Sequence, residues 1–189
     1  IAACTRQLAV QDNRVVPGTR ADRATRYALR AKAYEQQRDI EHALADYDRA
    51  VRADRGVYWI QMQRANAHFL AGHNEDALDS FEGAVNIDPD SVEALVYKSL
   101  ILAAASEDEL RDPAQALMDA QRANQLAPGQ PAYIDVLAVA YAANGDYAKA
   151  MEESQRAIDL LPAQDQASKD DYTSRLTLYR QNMPFRMEP

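Results

Sequence analysis

Small and apolar residues recur along the chain with a helical period inside a longer repeat. Alanines that open the same downstream pattern are spaced by 34, 39 and 34 residues: Ala43, Ala77, Ala116 and Ala150. A second, mostly apolar series precedes each of them and begins at Tyr27, Gln61, Leu95 and Ile134. Because positions i, i+4 and i+7 lie on one face of an α-helix, each unit predicts two amphipathic helices. The small residues would let the paired helices approach closely.

Turn residues fall in the same frame as this repeat. Gly72 and Gly145 stand where the first helix of a unit should end, and glycine adopts the left-handed backbone of that position at little cost. Aspartates four residues before an alanine marker are placed to cap the second helix: Asp39, Asp112 and Asp146. We therefore predict helical hairpins and no β-sheet.

The period of 34 residues, the small residues at fixed places and the closing prolines Pro89, Pro128 and Pro162 resemble the tetratricopeptide repeat family, bacterial type, over roughly residues 24–164. The resemblance implies an all-α fold, a right-handed α–α superhelix of four helix–turn–helix units within residues 22–183. The predicted repeats are 24–57, 58–91, 92–130 and 131–164. Two positions depart from the family pattern, because Arg55 replaces a proline and His68 stands where an aromatic residue is usual.

A further helix is predicted over about residues 166–181, followed by a tail of residues 184–189. Ser168 and Asp171 fit a capping box, and an apolar stripe follows at Tyr172, Leu176 and Tyr179. A stack of repeats exposes the apolar side of its last unit, so this helix is interpreted as a cap.

The third unit carries five extra residues between Leu102 and Ala116, where the helix–helix turn should be. Two interpretations stay open. The insertion is either a solvated acidic loop or a projection that contacts a partner, since insertions in repeats map to loops on one face.

The N-terminal residues Ile1-Ala2-Ala3-Cys4 resemble the end of a bacterial lipobox, in which the cysteine is lipidated. Residues 1–21 would then form a tether, and the protein would be a lipoprotein of the bacterial cell envelope that faces the periplasm. The alternatives are a buried or idle thiol near a truncation point and a cytoplasmic location.

Composition narrows the classes of function. The net charge is −8 and the 21 basic residues are scattered, whereas a nucleic-acid binder needs a basic stripe. No stretch is apolar enough to span a bilayer. None of the three histidines stands at a metal-binding spacing from the single cysteine or from an acid, and no phosphate-binding loop or nucleophile motif occurs. We therefore expect that the protein is not an enzyme and that it binds no cofactor and no metal.

The resemblance also implies that the first helix of each unit lines an inner surface that binds peptides. Carrying the exposed places of the family onto this chain gives the predicted binding residues Trp59, Met62, Asn66, Phe69, Glu93, Val96, Tyr97, Leu100, Asp135 and Val139. Trp59 is the expected anchor, because tryptophan buries much area at low entropic cost. The alternative is that some of these side chains pack against the facing helix.

The predicted function is a scaffold or adaptor that holds a protein or peptide segment. Its partners would be proteins, without nucleic acid, and with a membrane only through a lipid on Cys4. Of the carboxylate clamp that some family members use, Asn66 alone is retained, so chaperone tails are not expected as ligands. Two alternatives stay open: a self-associating, homo-oligomeric assembly subunit, and the regulatory part of a larger enzyme.

Overall fold

A computed structural model describes residues 18–188. The helices are α1 Arg20–Gln36, α2 Ile40–Ala53, α3 Tyr58–Leu70, α4 Asn74–Ile87, α5 Val92–Ala104, α6 Pro113–Leu126, α7 Pro131–Ala143, α8 Tyr147–Leu160 and α9 Gln166–Arg180. No strand occurs in the described residues, so the all-α prediction is confirmed. Cys4 and most of the predicted tether lie outside them, and lipidation stays a prediction. No helix in residues 18–188 is long and apolar enough to cross a membrane.

The chain forms two compact units, an N-terminal unit that ends at Pro89 and a C-terminal unit that begins at Asp90. In the N-terminal unit α1 pairs with α2 and α3 with α4, and α3 also packs against α1 and α2. In the C-terminal unit α5 pairs with α6 and α7 with α8, α7 also packs against α5 and α6, and α9 covers α8. Each unit therefore consists of helical hairpins that pack side by side.

Alanines form the contact surface inside every hairpin. The four marker alanines Ala43, Ala77, Ala116 and Ala150 are at most 1% exposed. Four residues after the first two of them, Tyr47 and Phe81 are fully buried. Since alanine keeps the helix axes close, the larger rings fill the space beside the crossing point, as the sequence pattern predicts.

The predicted turn chemistry is confirmed at five positions. The side chains of Asp39, Asp112 and Asp146 each accept a hydrogen bond from the backbone N–H three residues later and cap α2, α6 and α8. Gly72 and Gly145 adopt φ values of 76° and 79° after the first helices of their hairpins. A side chain at either position would be strained, so glycine allows the sharp reversal there.

Polar side chains also join the two helices of the first three hairpins, at equivalent positions of the repeat. These contacts are Arg30 with Asp46, Arg64 with Ser80, and Lys98 with Asp119. The fourth hairpin has the buried Leu137 at the basic position. Breaking such a pair leaves a buried charge without a partner. These contacts therefore restrict how the helices of a hairpin can pair.

The predicted capping box of Ser168 and Asp171 is wrong. Helix α9 begins at Gln166, and Asp165 is its N-cap, accepting a hydrogen bond from the backbone N–H of Ser168 at 3.2 Å. Asp165 is as good a cap as serine and comes three residues earlier, so the helix starts there. The insertion forms a short 3-10 turn, Asp108–Leu110, between α5 and α6.

We expect Ala150→Leu to destabilise the protein by about 1–3 kcal/mol, because Ala150 has no exposed surface and the added carbons must displace neighbours. The control is Ala148→Leu in the same helix, where the side chain is exposed and the helix propensities of the two residues are similar. Urea unfolding should show a lower midpoint for the first variant only. Equal midpoints would contradict the close helix pairing.

We expect Asp165→Ala to cost about 1 kcal/mol by removing the cap of α9. Ser168→Ala should cost only a few tenths of that free energy of unfolding, because the Ser168 hydroxyl makes no capping hydrogen bond. Thermal unfolding followed by circular dichroism distinguishes the two. A larger loss for Ser168→Ala would restore the capping box that the sequence predicts.

Candidate functional site

The predicted binding residues fall on three first helices, α3, α5 and α7. On α3, Trp59 is 39% exposed, Asn66 and Phe69 are half-buried, and Met62 is only 5% exposed. On α7, Asp135 is 2% exposed and Val139 is 1% exposed. The expected exposure is therefore correct for Trp59 and wrong for Met62, Asp135 and Val139.

The buried positions have a structural reason. Helix α3 packs against α1, α2 and α4, and α7 packs against α5, α6 and α8. Three neighbours leave each of these helices only a narrow exposed strip, so a position one turn along the predicted face can already be covered. Sequence periodicity identifies the first helix of each hairpin, whereas exposure depends on its neighbours.

The C-terminal unit contains a groove of about 380 Å³ between α5, α7 and α9. Five of the predicted residues line it together: Glu93, Val96, Tyr97, Leu100 and Asp135. The capping helix contributes the rest of one wall with Ser168, Asp171, Tyr172 and Arg175, and α7 adds Ala132, Tyr133 and Val136. The sequence did not predict that α9 forms a wall of this groove, because this helix was interpreted only as a cap.

The groove combines an apolar surface with acidic side chains. Val96 and Val136 are buried and Tyr97 is half-buried, while Glu93 and Asp171 are exposed. Burial, and then the neighbouring Glu93 and Tyr133, raise the pKa of Tyr97, so its hydroxyl stays protonated at neutral pH. The surface thus offers aliphatic and aromatic carbon together with hydrogen-bonding groups.

A buried ion pair lies in the wall of this groove. Arg175 contacts both Asp135 and Asp171 and lies over the rings of Tyr172 and Phe185, at 5.6 and 4.9 Å from their centroids. Burial lowers the pKa of the Arg175 guanidinium and raises the pKa of Asp171. Oδ1 of Asp135 and Nε of Arg175 have no hydrogen-bond partner among the described residues. The pair therefore keeps one acceptor and one donor unsatisfied.

The C-terminal tail packs against the other end of α5. The backbone N–H of Met187 donates to the carbonyl of Ala104 at 2.8 Å, and the Arg186 guanidinium donates to the carbonyl of Ala103 at 3.2 Å. Phe185 packs against the buried cluster formed by α7, α8 and α9. The C-terminal unit thus already holds one segment through a backbone hydrogen bond, a side-chain hydrogen bond and an aromatic anchor.

A different grouping occurs in the N-terminal unit. His68, His73 and Asp76 bring one ligand-type atom each to within 4.8 Å of one another, which the spacing in the sequence did not predict. The neighbouring Asp48 accepts from His68 and Arg64. Burial opposes the ionisation of Asp48, but these hydrogen bonds outweigh it and lower its pKa to about 2.

Comparison with known proteins agrees with this architecture. Residues 24–56 and 133–164 match the family model described as tetratricopeptide repeat. No curated protein matches the chain.

Several solved structures are similar to the chain at low sequence identity. A crystal structure of MamA protein is 18% identical, with a TM-score of 0.66, over 85% of this chain and 90% of that chain. The structure of MamA residues 41 to the end from Desulfovibrio magneticus RS-1 is 18% identical, with a TM-score of 0.64, over 85% of this chain and 96% of that chain. A tetratricopeptide repeat protein from Parabacteroides merdae ATCC 43184 is 16% identical, with a TM-score of 0.70, over 84% of this chain and 59% of that chain. At these identities the likeness concerns the fold, and the two matched stretches show that the chain contains tetratricopeptide repeats.

Proposed function

We propose that this protein is a non-enzymatic binding module whose C-terminal unit holds an extended segment of another protein in the groove between α5, α7 and α9. Repeat proteins of this kind generally use surfaces formed by stacked repeats for protein–protein contacts. The groove has the size of an ordinary binding pocket and room for a few side chains.

The groove itself, in which an apolar surface lies beside the exposed carboxylates of Glu93 and Asp171, is the observation that carries this proposal. Oδ1 of Asp135 and Nε of Arg175 lie beneath the groove surface, so a segment in the groove would lie over this ion pair. The backbone of an extended peptide offers N–H and C=O groups at regular spacing along its length. Such a segment can place apolar side chains on Val96 and Val136 while its polar groups lie beside Glu93 and Asp171.

The charges of the groove indicate the chemistry of the segment. Glu93, Asp135 and Asp171 oppose the single cation Arg175, which leaves an excess of two negative charges beside an apolar surface. We infer that the segment combines apolar side chains with lysine or arginine. Charge complementarity of this kind favours correct partners and speeds their association.

The chain's own tail supports the same mode of binding. Its sequence Phe185-Arg186-Met187 has an aromatic anchor, a basic side chain and an aliphatic one, and it binds carbonyl groups at the end of α5. A partner segment in the groove would occupy the part of α5 nearer its N-terminus, next to the tail.

A peptide-display selection against the intact protein tests this proposal. We expect enriched peptides to combine apolar residues with lysine or arginine. Glu93→Lys should weaken a selected peptide by about threefold to tenfold in fluorescence anisotropy, because an exposed attraction becomes a repulsion. Glu152→Lys changes the net charge equally on the exposed surface of α8, outside the groove, and should leave the affinity unchanged. Enrichment of acidic peptides would contradict the proposed chemistry.

Truncation of the apolar surface provides a separate measurement. Tyr97→Ala should weaken the same peptide about 30-fold, a typical loss for a buried aromatic anchor of about 2 kcal/mol. Met118→Ala removes a 63% exposed side chain on α6 and serves as the control. If Tyr97→Ala instead dissociated a dimer seen by light scattering, a second copy of the chain would be the occupant, and self-association would replace this proposal.

A further inference from the structure

The turn between α3 and α4 brings two imidazoles and a carboxylate together. His68 lies in the last turn of α3 and is 3% exposed, His73 is the N-cap of α4, and Asp76 lies in the first turn of α4. Gly72, with φ of 76°, reverses the chain between the two histidines. His73 and Asp76 are exposed, so solvent can reach the cluster.

The distances within this cluster suit a single metal ion. The Nδ1 atoms of His68 and His73 are 3.4 Å apart, and Nδ1 of His68 is 3.8 Å from Oδ2 of Asp76. Two imidazole nitrogens bound to one zinc ion at about 2.0–2.1 Å with a tetrahedral angle lie about 3.4 Å apart. The observed nitrogen separation equals that value, and the slightly longer distance to the carboxylate requires only a small side-chain rotation.

Neighbouring side chains hold two of these ligands in a binding orientation. Nε2 of His68 is 3.4 Å from Oδ1 of Asp48, and the tautomer with its proton on Nε2 has a lone pair on Nδ1 that can bind a metal ion. Arg64 donates to Oδ1 of Asp76 at 2.8 Å, which leaves Oδ2 facing His68. A carboxylate behind the histidine and a hydrogen bond to the ligating carboxylate are the usual outer contacts of zinc sites.

The charge around the cluster favours a divalent cation. Arg64 contacts three carboxylates, at 2.7 Å from Asp48, 2.8 Å from Asp76 and 3.0 Å from Asp79. With both histidines neutral, these groups carry an excess of two negative charges. A divalent cation balances that excess, whereas protonation of one imidazole balances half of it.

We propose that His68 Nδ1, His73 Nδ1 and Asp76 Oδ2 bind one Zn²⁺ ion, with water in the fourth position. Two imidazoles and one carboxylate suit zinc, while calcium and magnesium prefer ligand sets made of oxygen. The ion would join the end of α3 to the start of α4 and fix the turn between them. Its water position would be open to a ligand from solvent.

Isothermal titration calorimetry with zinc chloride tests this site in the full chain carrying Cys4→Ser, which removes the single thiol. We expect one ion per chain and a higher melting temperature with zinc. His73→Ala should weaken binding by at least about 100-fold, and Asp76→Asn by at least about tenfold, because each removes a ligand. Both side chains are exposed, so the variants should fold, which circular dichroism verifies.

His42→Ala is the matched control. His42 is also an exposed histidine at the start of a second helix, but it pairs with Asp39 at 2.8 Å and stacks on Tyr34. Zinc affinity should be unchanged in this variant. Absence of saturable binding by the chain with all three ligands, binding retained in His73→Ala, or an equal loss in His42→Ala would each overturn the proposal.

Two further measurements separate a metal site from a histidine hydrogen bond. Asp48→Asn should weaken zinc binding about 10–100-fold, since it keeps the three ligands and removes the carboxylate that contacts His68 and Arg64. Cobalt should produce the visible absorption of tetrahedral coordination, and this absorption should be absent in His73→Ala. Cobalt bound in octahedral geometry at the same affinity in both proteins would indicate surface binding and contradict the site.

Discussion

The fold depends on the close approach of two helices within each hairpin. That approach requires a side chain no larger than alanine at the crossing point, and Ala43, Ala77, Ala116 and Ala150 provide it. Once one face of a helix packs against its partner in the hairpin, the roles of its remaining faces are determined as well. One face meets the next hairpin and one stays accessible, so the groove in the C-terminal unit is a consequence of how the hairpins pair.

Features that rest on local chemistry were predicted from the sequence. The helical hairpins, the aspartate caps and the glycines with positive φ each depend on a few adjacent residues, and the structure has them in the predicted places. Where two local signals compete, the prediction is weaker. Asp165 caps α9 ahead of Ser168, and a capping box of Thr19 with Asp22 starts α1 at Arg20, within the segment assigned to the tether.

The binding surface was predicted less completely, because exposure is set by neighbours distant in sequence. Glu93, Tyr97 and Leu100 lie in one groove as expected, but Val139 is covered by the helices around α7. Arg30, Arg64 and Lys98 recur every 34 residues, but their spacing does not indicate which acceptor on the facing helix each of them contacts. Spacing alone could not identify the cluster around His68, since a chain reversal at Gly72 brings its members together.

The contact between the tail and α5 gives the C-terminal unit a closed connectivity. An open array of repeats loses its end units one at a time, because each unit touches only its neighbours. Here Arg186 binds the carbonyl of a residue 83 positions earlier, so the last segment of the chain is attached to the first helix of its unit. Contacts between the tail that follows α9 and the end of α5 thus couple the two ends of the unit, which neighbour contacts alone would leave independent.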